Sequence, residues 1–315
     1  MRPTTPTAKI VAATARRASR ARFRIRFSYH AKGDKVGRIR DPLPGRYPAD
    51  SGEVELLRDL DRQDGWMLLM DGVPQSYVDL EDPAYLDFPY MQLMAEVIDC
   101  LPEGPLDAVH VGGGACTLPR YISAVRPGSR HLVIEPDAGL VQVVREQLRL
   151  KSVPRLKVRV TDGRAGVGAL PDASADLLVV DAFVGATMPV ELATLTFMAD
   201  VARVLRPTGT VLVNVADGKG LAFVKRVAAT VAATFRHAAL LAEPGILRGR
   251  RFGNLILTAS ATELPVGPLT RKAAGGLAQA RCVAEDDLTR LIAGAAPIAD
   301  GDAVLTPVPP PALFE

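Results

Sequence analysis

The sequence predicts an α/β fold preceded by a small antiparallel β unit, and three observations carry that prediction. After Leu101, runs rich in Val, Ile and Leu alternate with segments of helical period. Those runs are apolar throughout, as expected of strands in a mostly parallel sheet covered on both faces. Before Leu101 the pattern is different: short alternating runs broken at "RQDG" and "DGVP" suit antiparallel strands joined by tight turns.

The elements follow in order. Residues 1–46 hold 13 Lys/Arg against 2 Asp, which leaves 25 basic and 33 acidic residues, a net −8, in the rest of the 315-residue chain. This basic segment lacks apolar periodicity and interleaved aromatic residues, so it reads as a disordered extension; clustered arginines could instead meet phosphates. Residues 47–90 are expected to form the small β domain, with its strands between Gly52 and Asp79. An acidic connector, "LEDPAYLDFPY", leads to a helix from about Met91 to Cys100. Residues 91–260 are expected to form a nucleotide-binding α/β domain. Its strands are "LDAVHV", "RHLVIEP", "LKVRVTD", "ADLLVVDAF", "GTVLVNVAD", "AALLAE" and "NLILTAS". Between them run helices such as "LPRYISAVR", "GLVQVVREQLRL" and "GLAFVKRVAATVAATF". Residues 261–315 lose this rhythm and are expected to be a helical appendage with a loose tail.

Composition narrows the function. No apolar run approaches the roughly 20 residues that cross a bilayer, and no secretory leader is recognisable, so a cytoplasmic location and no membrane partner are expected. Cys100, Cys116 and Cys282 are too few for a disulfide framework. With only four histidines in the chain they make no zinc spacing, and no metal is expected.

In an open α/β sheet, ligands sit beyond the carboxyl ends of the strands, where the strand order reverses. Gly112, Gly113 and Gly114 end the first strand, where missing side chains let backbone approach a ligand. Glu135 ends the second, 21 residues after Gly114, where a carboxylate can accept both ribose hydroxyls. Asp162 ends the third strand in "VTDGR", with Gly163 after it, where a carboxylate can reach an adenine amino group, and Asp181 ends the fourth, facing the reactive end of the same ligand. A full dinucleotide fingerprint has a third glycine where Thr117 stands, which argues against a pyrophosphate cradle. An adenosyl sulfonium needs no phosphate grip, so S-adenosylmethionine or its decarboxylated form is the expected cofactor.

The residues that match a known family are "DGVPQ" at Asp71 to Gln75, Tyr90 lying 22 residues before Gly112, "GGG", "VIEP", "TDG", "VVDAF" and "RPTGTVLV". Across about residues 52–260 the chain resembles the spermidine synthase family of polyamine aminopropyltransferases. The resemblance implies a Rossmann-like, S-adenosylmethionine-dependent methyltransferase type of fold with the small β domain in front, and a homodimer. It implies that Asp181 takes or orients a proton, that Tyr90 hydrogen-bonds an amine substrate, and that Gln75 shapes the pocket. Two acids of the family pattern are missing. Ala115 follows the glycines where the family has an aspartate, and Val184 stands where its second fourth-strand acid binds a diamine.

A buried ammonium without a counter-charge costs several kcal/mol, so these losses point away from ordinary spermidine synthesis and towards methyl transfer to a small molecule, an amine among the candidates. Asp79, Glu81, Asp82 and Asp87 could supply replacement carboxylates, or could be a solvated acidic loop. Aminopropyl transfer and a catalytically inactive nucleotide-binding regulator remain the alternatives. A nucleic-acid substrate is not expected, because no Asn/Asp-Pro-Pro-aromatic motif for a flipped base is present.

Overall fold

A four-stranded antiparallel meander and an eight-stranded mixed sheet organise the chain. The structure is a computed structural model that describes residues 42–310. The basic segment through residue 41 and the end of the expected tail, residues 311–315, lie outside the described residues.

The meander comprises β1 (Gly45–Ala49), β2 (Gly52–Arg58), β3 (Gly65–Met70) and β4 (Val73–Asp79), in sequence order. It starts at Gly45, seven residues before the first strand expected from the sequence. The "DG" signal between β3 and β4 is a two-residue turn with both Asp71 (φ 49°) and Gly72 (φ 80°) left-handed, which matches the twist of the flanking strands.

The connector leads to α1 (Pro89–Asp99), whose proline occupies the first turn, where its missing N–H is no loss. There follow β5 (Asp107–Val111), α2 (Thr117–Val125), β6 (Arg130–Ile134), α3 (Ala138–Gln147), β7 (Leu156–Arg159), α4 (Gly163–Gly168), β8 (Ala175–Val180), α5 (Leu195–Val204) and β9 (Leu205–Asp217). The chain closes with α6 (Ala222–Thr234), β10 (His237–Ala242), α7 (Pro244–Leu247), β11 (Gly253–Ser260), α8 (Val266–Gly275), β12 (Arg281–Ala284) and α9 (Glu285–Ile292).

The large sheet runs β12-β10-β11-β9-β8-β5-β6-β7. Strands β9, β8, β5, β6 and β7 are parallel, whereas β11 pairs antiparallel with both β9 and β10. The fold is thus α/β and Rossmann-like, with the order reversing between β5 and β8. Helices α5 and α6 bury Phe197, Val201, Val224 and Val227 on one face, and α1 and α2 bury Leu93, Met94, Ile98 and Ile122 on the other. Residues 261–310 do more than append helices, because β12 joins the sheet edge beside β10. Its four residues are too short to show strand periodicity in the sequence. No described helix is long and apolar enough to cross a membrane.

The meander is clamped onto α3. Asp137 accepts from Leu140 N (2.7 Å) at the start of α3 and also from Asp50 N (3.0 Å) and Ser51 N (2.9 Å) in the β1–β2 turn. Asp50 reciprocates by accepting from Ala138 N at 2.8 Å. Gly139 permits this approach, since a Cβ there would lie 2.7 Å from the Ala49 Cα. Val54, Leu56, Trp66 and Leu68 then pack with Leu140, Val143 and Val144 in a shared core.

Candidate functional site

The reversal between β5 and β8 opens a crevice at the carboxyl edge of the sheet, and the residues singled out from the sequence are strung along it. From β7 through β6 and β5 to β8 the order is Asp162, Glu135, the glycine turn, Asp181. Three strand spacings separate the ends of that series, about 14 Å, which is the reach of an extended adenosyl amino acid.

The glycine turn owes its shape to close contacts. Gly112 has φ 96°, and a Cβ there would lie 2.1 Å from the backbone oxygen of Asp181, so only glycine lets β5 and β8 end this close together. Gly114 (φ 45°) faces Ser76 of β4, whose Oγ would lie 2.3 Å from an added Cβ. The same hydroxyl accepts from Ala115 N at 3.1 Å, and Thr117 Oγ1 donates to Tyr77 O at 2.9 Å. The meander therefore roofs the turn. Ala115 is fully buried in the core beneath that roof, beside Val54 and Leu56.

Glu135, 8% exposed, has both oxygens engaged: Oε2 accepts from Gly113 N at 2.8 Å and Oε1 from Asp137 N at 3.0 Å. Burial raises its pKa, and those two backbone donors oppose the rise. Each oxygen keeps a further lone pair, so the carboxylate can pin the turn and still accept ligand hydroxyls. Asp162 is exposed and caps α4, accepting from Ala165 N at 2.8 Å. Gly163 begins that helix, and a Cβ there would meet Val111 Cγ1 at 2.6 Å, so its smallness serves helix-on-sheet packing.

Asp181 is the acid at the end of β8. Asn214 Nδ2 donates to its Oδ1 at 2.8 Å, and the Tyr90 phenol, at the start of α1, also hydrogen-bonds it. Burial pushes the Asp181 carboxyl up to about 6 despite both donors, and burial together with Asp181 raises the Tyr90 phenol well above its usual range. A carboxyl that titrates near neutrality and is fixed by two donors can accept a proton from a bound nucleophile. Gln75 reaches across from β4, donating from Nε2 to Gly185 O at 3.0 Å, and so ties the meander to the loop after β8. Val184 in that loop is 71% exposed.

The acidic connector has other partners. Arg62 pairs with Asp79 (2.7 Å) and Asp82 (3.0 Å) while stacking 3.8 Å over the Tyr85 ring, and Arg149 pairs with Glu81 (3.0 Å). Asp87 accepts from Tyr85 Oη at 3.2 Å, and its pKa is raised by burial. Three of the four acids are thereby ion-paired within the protein, Asp79 and Asp82 sharing the single charge of Arg62.

Sequence reasoning missed Ser76, Asn214 and Asn254. Asn254 Nδ2 donates to Asn214 Oδ1 at 3.0 Å, which extends the polar chain behind Asp181. A polar residue inside the apolar run "VLVNVAD" was the available signal for Asn214. Ser76 and Asn254 carry no such mark.

Comparison with solved structures gives the family. A probable spermidine synthase from Corynebacterium glutamicum is 34% identical, with 85% of this chain and 100% of that one covered at a TM-score of 0.78. Spermidine synthase from Thermotoga maritima is 16% identical over 73% of this chain and 76% of that one, with a TM-score of 0.55. A spermidine synthase solved in complex with the transition state analogue AdoDATO is 15% identical over the same shares, 73% and 76%, again at 0.55. At the latter two identities the likeness is one of fold alone. No family model matches the chain, and no curated protein matches it. Coverage of 85% of this chain and all of that one at 34% identity, on a sheet whose order reverses beside the glycine turn, makes this chain a divergent member of the spermidine synthase family.

Proposed function

We propose that the protein is a transferase that uses an adenosyl sulfonium donor, with methyl transfer from S-adenosylmethionine to a small nucleophile as the reaction its site suits best. The observation that carries this reading is the charge inventory along the crevice. Asp181 is the acid at the acceptor end, Ala115 and Val184 stand where the family pattern has carboxylates, and three acids of the connector are already engaged in ion pairs with Arg62 and Arg149. A diamine brings a second ammonium, and at the two positions where the family pattern has carboxylates this chain offers it none. An intact amino-acid arm brings a carboxylate that an aspartate at position 115 would repel.

The donor set fits an adenosine. Glu135 offers anionic acceptors to ribose hydroxyls, Asp162 stands one strand further along for the base, and the glycine turn admits a ligand close to backbone. When bound, such a donor supplies an electrophilic carbon on positively charged sulfur. Tyr90 and Asn214 orient the Asp181 carboxylate, which takes the proton that an attacking amine or hydroxyl must lose. The meander excludes water from one side of the turn.

A second reading, aminopropyl transfer from decarboxylated S-adenosylmethionine, draws on the 34% identity to a probable spermidine synthase. Calorimetric titration with S-adenosylmethionine, its decarboxylated form, methylthioadenosine and NAD separates the readings. Tightest binding of S-adenosylmethionine is the expected result; tightest binding of the decarboxylated form would transfer support to the second reading, and binding of NAD alone would overturn both. Asp181→Asn should retain nucleotide affinity while slowing turnover by about 10²–10⁴-fold.

A further inference from the structure

The amide chain behind Asp181 has a direction, and the direction follows from the chemistry at one end. An ionised carboxylate accepts hydrogen bonds and donates none, so Asn214 must turn its NH₂ towards Asp181 Oδ1, 2.8 Å away. That leaves the Asn214 oxygen facing β11, where Asn254 Nδ2 meets it at 3.0 Å. The strands hold this alignment: Val213 is opposite Val180, so Asn214 follows β9 out alongside Asp181, and Ala216 is opposite Asn254, which puts the two amides diagonally on one face. Asn214 is buried, so water does not compete for its amide.

Without a donor at position 254, the Asn214 amide can rotate by half a turn. It would then present oxygen to Asp181, an arrangement that suits only the protonated acid. We propose that Asn254 is a positioning residue which, through Asn214, holds Asp181 as an ionised proton acceptor. Its functional meaning rests on the role given to Asp181 above. The other groups around Asp181 are few. Tyr90 of α1 is the titratable group that hydrogen-bonds it, the β5 end contributes uncharged glycines, and Glu135 lies two strands away. Asp217, at the end of β9, is occupied by Gly218 N (2.7 Å) and Val224 N (2.8 Å).

The test reads Asp181 itself. In protein carrying ¹³C-carboxyl aspartate, the Asp181 resonance is the one missing from Asp181→Asn. Asn254→Leu, which keeps the size and removes the donor, should raise the titration midpoint of that resonance by about one pH unit. Asn254→Gln, which keeps a donor, should recover at least half of that rise. Asn254→Ala stands in for the leucine variant if circular dichroism shows that variant unfolded. An unmoved midpoint in the donor-less variant would overturn the proposal, as would equal rises in the leucine and glutamine variants, which would mean that packing and not the donor matters. The readout needs no substrate. Should Asp181→Asn prove fully active, the catalytic reading fails while the amide coupling is still measured.

Discussion

Glu135→Gln tests the nucleotide site with the smallest change in shape. The carboxylate accepts from Gly113 N at 2.8 Å through one oxygen and from Asp137 N at 3.0 Å through the other. A carboxamide of the same size has one acceptor and one NH₂, so one of the two backbone donors must face a donor. Leaving a buried N–H without a partner costs about 1–3 kcal/mol, which should appear as lost stability in urea unfolding. Binding suffers separately. A hydrogen bond to a charged acceptor is worth about 1.5–3 kcal/mol, so losing the anionic half of one ribose contact should weaken affinity by about 10–100-fold. Calorimetric titration with S-adenosylhomocysteine, on variant protein shown to be folded by near-ultraviolet circular dichroism, measures the second effect alone. A folded variant that binds within about threefold of the unaltered protein would refute the ribose role. If the urea midpoint also fell, Glu135 would be reduced to a device that pins the glycine turn.

Two further predictions concern pH. His110 Nε2 and His131 Nδ1 lie 3.2 Å apart in the core, with Ser123 Oγ 3.1 Å beyond on the His131 ring, and burial lowers both residues' pKa, that of His131 to about 4. The unfolded chain therefore protonates first, and stability is lost as pH falls from about 6.5 towards 4, by about 2 kcal/mol from His131 alone near pH 5. Urea unfolding at neutral pH and near pH 5 checks this; His131→Asn should flatten the dependence, and an equally steep fall in that variant would count against the assignment. Glu96 has the opposite sign. Its carboxyl is pushed up to about 7 by burial, and its Oε2 is buried without a partner. Stability is thus lost as pH rises from about 4.5 to 7, and Glu96→Gln should be more stable than the unaltered protein near pH 8 by about 1–2 kcal/mol once solvent screening is allowed for. The two proteins should unfold alike near pH 4, and a gain there as well would mean that packing is responsible.

Much of the architecture is legible in the sequence because it rests on local regularities. Continuous apolar runs such as "ADLLVV" announce strands buried on both faces, and "DG" between alternating runs announces the β3–β4 turn. The same regularity predicts that Gly112, Glu135, Asp162 and Asp181 end successive strands, since parallel strands joined by helices bring their carboxyl ends to one edge. What the sequence could not determine is who meets whom. Asn254 lies 73 residues from Asp181 and gains its connection only because β11 runs antiparallel beside β9. Ser76 matters because the β1–β2 turn and α3 exchange caps through Asp50 and Asp137, which lays the meander over the glycines. Asp79, Glu81 and Asp82 read as free charge until Arg62 and Arg149 are brought against them. Strand formation follows from patterning along the chain, whereas the protonation and orientation of a buried side chain follow from neighbours that only tertiary packing assembles.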